Sequence, residues 1–252
     1  MLRKTLLSAL NTYLRSADIK DYCPNGLQVE GTNQVNTIVT GVTASEALID
    51  EAISLNADTI IVHHGYFWKG EPAQVVGMKQ RRLKKLLSHN INLIAYHLPI
   101  DVHPELGNNM QLGKRLQLQN ICALEGVFPK GIVMRGELPE ALPHSAVKQH
   151  LLDNLTPNAV VSVGNKSAIK YLAWCTGGGQ SYIDKLPDLT DVDAFISGEI
   201  SEQTTHSARE LGIDFFAAGH HATERYGVKA LGEWIKTEYP CKVHFIDVPN
   251  PA

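Results

Sequence analysis

No stretch of the 252-residue chain approaches the roughly 18 uninterrupted apolar residues that a membrane-spanning helix requires, so no such span is expected. Nor is there a surplus of positive charge: 23 Lys and Arg stand against 26 Asp and Glu, and the resulting net charge of −3 argues against a protein built to bind nucleic acid. Cysteine is scarce and scattered. Cys23, Cys122, Cys175 and Cys241 form no CxxC pair, which argues against a disulfide framework or a cysteine-zinc knot and leaves buried free thiols as the expectation. With 44% hydrophobic and 19% charged residues and ordinary glycine and proline content, the disordered and fibrous classes are also excluded.

What is present begins with an N-terminal segment, basic and then apolar, that could be taken for a targeting signal. Leu2, Leu6, Leu10, Tyr13 and Leu14 recur at helical spacing, polar residues interrupt the run, and no small-residue cleavage signal follows. An amphipathic helix in a cytoplasmic protein is therefore expected.

Strand and helix signals alternate through most of the chain, the pattern of an α/β fold. Strands are expected at 36–40, 59–62, 92–96, 159–163, 170–174, 194–197, 214–217 and 242–246. The clearest helix runs from Ala44 to Leu55, with Thr43 and Glu46 as a capping box. The chain also repeats itself. Ile38 to Ser45, a helix and Ala57 to His64 match Ala173 to Ser181, a helix and Val192 to Glu199: each is an apolar strand, a Thr-Gly turn, a helix and a second apolar strand entered through Asp58 or Asp193. One element later, Ile91 to His97 is followed by Asp101, and Ile213 to His220 by Glu224. This reads as a tandem duplication with halves near 1–125 and 126–252, which can be intertwined; the plain alternative is that any two α/β units look alike. The expected architecture is two similar halves with mixed sheets flanked by helices, and a metal cleft between them.

The chemistry-bearing residues fall at strand ends, where open α/β sheets hold ligands. His63 and His64 end one strand, His97 and Asp101 follow the next, and His220 and Glu224 follow the strand 214–217. Imidazole with carboxylate suits Zn, Mn, Fe, Co or Ni. Five side chains, His63, His64, Asp101, His220 and Glu224, are too many for one open catalytic ion and enough for two, so two divalent metal ions per subunit are expected. His97, His103 and His221 are read as supporting residues. His89, His144, His150, His206 and His244 show no partner pattern and are read as structural or solvent-exposed.

These motifs resemble the Nif-three-like family, also called the GTP cyclohydrolase I type 2 family, in its short bacterial YbgI-like branch. The resemblance rests on Asp21 to Gly31, Ile61 to Gly70, Tyr96 to Asn109, Trp174 to Ser181, Ser197 to Glu202 and Ala218 to Arg225, which together span nearly the whole chain. It implies a dinuclear metal site on the same five residues and a homohexameric ring with its metal sites facing the interior. Longer members of the family insert a further domain, for which this chain has no room. Some members are assigned as GTP cyclohydrolases; others are uncharacterised metal-binding proteins or are linked to protection from DNA damage.

The function expected is metal-dependent hydrolysis, in its concrete form the opening of the purine ring of GTP with release of formate, His97 and Glu199 shuttling protons. Two alternatives stay open: two-metal hydrolysis of another small substrate or a damaged nucleotide, and a non-enzymatic metal-binding ring. For a triphosphate the sequence offers Lys69, the run Arg81, Arg82, Lys84 and Lys85, and the turn Gly177 to Gly179. The run alternates with Leu83, Leu86 and Leu87 as a solvated helix face does, and the turn reads as a tight connection. A ring-shaped DNA clamp would need a basic inner face, and this chain has no surplus of positive charge.

Overall fold

The structure, a computed structural model, describes residues 1–155 and 159–252. In chain order its elements begin with α1 (Arg3–Tyr13), β1 (Gly26–Val29), β2 (Thr37–Thr43), α2 (Glu46–Ser54), β3 (Thr59–His64), α3 (Gly77–Ser88) and β4 (Asn92–Ala95). There follow α4 (Leu98–Val102), α5 (Asn108–Arg115), β5 (Gln119–Ala123), β6 (Met134–Leu142), α6 (His144–Leu155), β7 (Val161–Val163), β8 (Ile169–Cys175) and a 3-10 segment, Gln180–Asp188. The chain finishes with β9 (Ala194–Ser197), α7 (Glu202–Leu211), β10 (Asp214–Ala217), α8 (His220–Glu238) and β11 (Lys242–Phe245). It divides into two compact units, Met1–Ile100 with Gly227–Pro249, and Asp101–Tyr226 with Asn250–Ala252.

In the first unit a five-stranded sheet runs β1-β4-β3-β2-β11. Strands β4, β3, β2 and β11 are parallel and β1 closes the edge antiparallel to β4. The inner strands are buried, as expected of parallel strands covered on both faces, and so read as apolar runs. Leu6 and Leu10 of α1 are fully buried, the stripe the helical spacing predicts; each contributes about 2 kcal/mol of hydrophobic burial. Val39, Leu48, Ile60, Leu86 and Leu93 form the core of this unit.

The second unit carries a six-stranded sheet, β5-β6-β8-β9-β10-β7, with β8, β9 and β10 parallel and the other pairings antiparallel. Its core gathers Trp174, Ile196, Phe216, Leu151 and Leu172. Both units follow one plan: helix, antiparallel edge strand, parallel strand, helical segment, parallel strand, helix, parallel strand.

The agreement reaches single hydrogen bonds. Asp58, just before β3, accepts from the backbone amides of Asn36 and Thr37 at 2.7 and 3.1 Å. Asp193, just before β9, accepts from the backbone amides of Lys170 and Tyr171 at 2.8 and 2.9 Å. Each carboxylate pins the start of the neighbouring parallel strand. The cap of α2 differs from the expectation: Ser45, not Thr43, is the N-cap, its Oγ accepting from Leu48 N at 3.2 Å, and Glu46 is already inside the helix.

Cys23, Cys175 and Cys241 are buried free thiols and Cys122, on the edge strand β5, is exposed. Burial pushes the Cys23 thiol up to about 12 and raises Cys175 and Cys241 as well, so these three stay protonated and unreactive. No helix of the described residues is long and apolar enough to cross a membrane.

Candidate metal centre

In the first unit the adjacent ends of β3 and β4 bring three imidazoles together. His63 and His64 are the last residues of β3, with ring centroids 4.4 Å apart, and His97 lies 5.0 Å from His63 and 5.9 Å from His64. One ring nitrogen from each falls within 4.8 Å of the others. What aims them is a set of oxygen partners. His63 Nδ1 lies 3.2 Å from the carbonyl of Tyr96; since a carbonyl only accepts, Nδ1 carries the proton and the lone pair is on Nε2. His64 Nδ1 meets the Thr43 hydroxyl at 3.2 Å.

His97 is tied more firmly. Its Nδ1 lies 2.7 Å from Asp21 Oδ1 and its backbone amide donates to Asn25 Oδ1 at 2.8 Å. Asp21 also accepts from Asn25 Nδ2 and from the amides of Tyr22 and Leu98. Burial raises the Asp21 carboxyl, but the hydrogen bonds from His97 and Asn25, the imidazole charge and the Tyr22 amide outweigh it and hold the group below the usual carboxylate range. The Trp68 ring stands edge-on to His97 at 4.8 Å, an apolar wall beside the imidazoles.

In the second unit the donors are mainly carboxylates. Asp101, on α4, and Glu224, on the second turn of α8, are each 4% exposed, and an oxygen of one lies within 4.8 Å of an oxygen of the other. His220 opens α8 one turn before Glu224, and the four-residue spacing puts its Nε2 2.9 Å from Glu224 Oε2. His220 Nδ1 lies 2.7 Å from Glu199 Oε1. Burial lowers the His220 imidazolium, yet the two carboxylates outweigh it and raise the group to about 9.

Around them Asn108 Nδ2 donates to Asp101 Oδ1 at 2.9 Å, and Asn109, through its side chain, ties the Asp101 carbonyl to that of Ile132 while accepting from Thr176 N. Gly177, at φ +61°, receives a particular demand: a Cβ there would run into the Glu224 carboxylate and stand 3.1 Å from His220 Nε2. The first glycine of the turn is thus required by the close approach of the candidate ligands, beyond the tight connection expected of it.

Two buried carboxylates this near each other repel unless a proton or a cation lies between them. Carboxylate oxygen with imidazole nitrogen is a donor set suited to Zn, Mn, Fe, Co or Ni. The residues present therefore fit a divalent metal. Asp21, Asn25, Thr43, Asn108, Asn109 and Thr176 hold the site although sequence reasoning gave them no role there; five of the six lie within the segments that carry the family resemblance. His103 Nδ1 accepts from the amides of Glu105 and Leu106. Within the basic run, Arg81 and Lys85 pair with Glu46 and Asp50 on the surface, as a solvated helix face should.

A family model described as Duf34/NIF3 (NGG1p interacting factor 3) matches residues 1–251. A Pseudomonas aeruginosa protein named GTP cyclohydrolase 1 type 2 homolog is 54% identical over 248 residues, 98% of each chain. A solved structure described as protein ybgI, of unknown function, superposes with a TM-score of 0.95 at 50% identity over the full length of both chains. A crystal structure of a Thermus thermophilus protein gives a TM-score of 0.88 at 34% identity, again over both full lengths.

Proposed function

The chain belongs to the Duf34/NIF3 (NGG1p interacting factor 3) family, and on that premise we propose that it is a dinuclear metal-dependent hydrolase whose two divalent cations are held by His63, His64, Asp101, His220 and Glu224. The observation that carries this reading is the pair of buried carboxylates, Asp101 and Glu224, within 4.8 Å of each other. The oriented imidazoles of His63 and His64 support it. Divalent cations so held supply Lewis acidity and bring the pKa of water toward neutrality.

The substrate proposed is GTP, in keeping with the name of the Pseudomonas aeruginosa relative. Opening the purine ring consumes two waters: one adds at C8 and breaks the imidazole ring, and the second releases formate. The chain's own residues position the reaction and move its protons. His97, with Nδ1 on Asp21, is a proton carrier held in one orientation. Glu199, with Oε1 on His220 Nδ1, orients that ligand imidazole and is the second carrier. Trp68 excludes water from one side of His97. The assembly proposed is a homohexameric ring in the cytoplasm.

The test is to load the purified chain with Zn, Mn, Fe, Co or Ni, confirm occupancy by elemental analysis, and measure formate released from GTP and from a panel of other nucleotides. Two ions per chain and formate from GTP are expected. Asp101→Ala should cut turnover at least about a hundredfold and lower metal content, while sizing still reports six chains. Bound metal with no hydrolysis of any nucleotide in the panel would sink the enzymatic reading.

A further inference from the structure

Within the second unit, a second constellation stands among residues to which the hydrolase reading gives no role. His144, the first residue of α6, places Nδ1 2.6 Å from Asp214 Oδ2 and Nε2 3.0 Å from Ser162 Oγ. The Asp214 carboxylate accepts, so Nδ1 carries the proton and Nε2 accepts from the serine hydroxyl. This is the order of contacts by which a carboxylate, an imidazole and a hydroxyl make an activated nucleophile. The Asp214 and His144 side chains are 5% and 15% exposed, and the imidazole stacks on Phe216 at 4.6 Å, which fixes its plane. Sequence reasoning assigned His144 no partner, because its partners lie 18 and 70 residues away.

The duplicated plan supplies an internal control. In the first unit the residue opening β4 is Asn92, which accepts from Gly31 N at 2.9 Å as Asp214, opening β10, accepts from Lys166 N at 3.0 Å. The residue opening α1 is Arg3, which donates to Asn92 Oδ1 at 3.2 Å, where His144 opens α6 and meets Asp214. Anchoring the edge of such a sheet therefore needs only an amide and a cation. The second unit replaces them with a carboxylate and an imidazole and adds a hydroxyl.

Ser162 and Asp214 also line a cleft of about 470 Å3, whose other charged lining residues are Lys166 and Arg209. We propose that Ser162 is a catalytic nucleophile, with His144 as its base and Asp214 as a positioning residue, for transfer of small acyl groups from esters that carry a negative charge. Ser162 Oγ attacks the ester carbonyl carbon while its proton passes to His144 Nε2. The carbon–oxygen bond to the alcohol breaks, and the alcohol leaves with that proton. Water, deprotonated by the same imidazole, then releases the carboxylic acid and restores the serine. Arg209 selects the charged donor, with Lys166, whose Nζ lies 3.4 Å from Asp193 Oδ1, lining the same cleft.

The experiment treats the folded, metal-loaded chain with a fluorophosphonate, which forms a phosphorus–oxygen bond to an activated serine and loses fluoride, and locates the adduct by peptide mass spectrometry. Labelling at Ser162 is expected. Ser162→Ala should abolish it with metal content unchanged, and His144→Gln should slow it about a hundredfold or more. Asp214→Asn is a fold-compatible variant, since Asn92 fills the matching place. With the anionic half-ester 4-nitrophenyl succinate it should lower kcat while leaving KM unchanged, because an amide favours the wrong imidazole tautomer. No adduct on the folded chain, or an adduct elsewhere that persists in Ser162→Ala, overturns the proposal.

Discussion

Gly177 carries more of the candidate metal centre than its size suggests, since Glu224 occupies the space a side chain would need and the backbone is left-handed. Gly177→Ala is expected to cost about 1–3 kcal/mol from the conformation alone and to displace Glu224. Thermal unfolding with elemental analysis checks it, and a variant of normal stability and normal metal content would contradict it. At this scale the sequence made the candidate cluster legible, because two adjacent histidines and two carboxylates stand at or just after strand ends. The holding residues were not legible. Asp21 acts on His97 from 76 positions away and Thr176 donates to Asn109 from 67, distances that no local pattern encodes.

For the elements, all eight expected strands are present, with ends shifted by a few residues; six of them are inner strands, buried and therefore rich in Val, Ile, Leu, Phe and Ala, while β7 and β11 lie at sheet edges. The strands that escaped notice are edge or irregular ones. β1 is four residues long and β6 contains Gly136 and Pro139, with its register broken between Glu137 and Leu142. The Asp193 anchor makes a prediction at this scale. Burial raises its carboxyl, but the Tyr171 and Lys170 amides and the nearby Lys166 hold it below its ordinary value. A depressed carboxyl stabilises the fold above its unfolded pKa, and that contribution fades as pH falls through the folded value. Asp193→Asn should therefore cost about 1.5–3 kcal/mol at neutral pH, as loss of hydrogen bonds to a charged group does, and progressively less in acid. Urea unfolding at a series of pH values measures it; a deficit that stays constant into acid would argue against it.

Across the whole molecule, the repeated plan was visible as paired strand–turn–helix–strand segments, and the structure extends the match to the helix and edge strand that open each unit. Those two elements were invisible as a repeat because their sequences differ. Arg3 and His144 stand at the same place with different chemistry. The plan also tells candidate ligand positions from scaffold. Asp58 and Asp193 recur in the same structural role, whereas the strand ends, His63-His64 in one unit and Ser197 in the other, differ.

The distribution of the four thiols turns the protein into its own reporter. Three are buried and stay protonated, whereas Cys122 faces solvent on an edge strand. A maleimide fluorophore should therefore couple once per chain without any engineered cysteine. Energy transfer between dyes on neighbouring copies would then report whether the proposed ring assembles, and an unfolded fraction would betray itself by taking up four dyes instead of one.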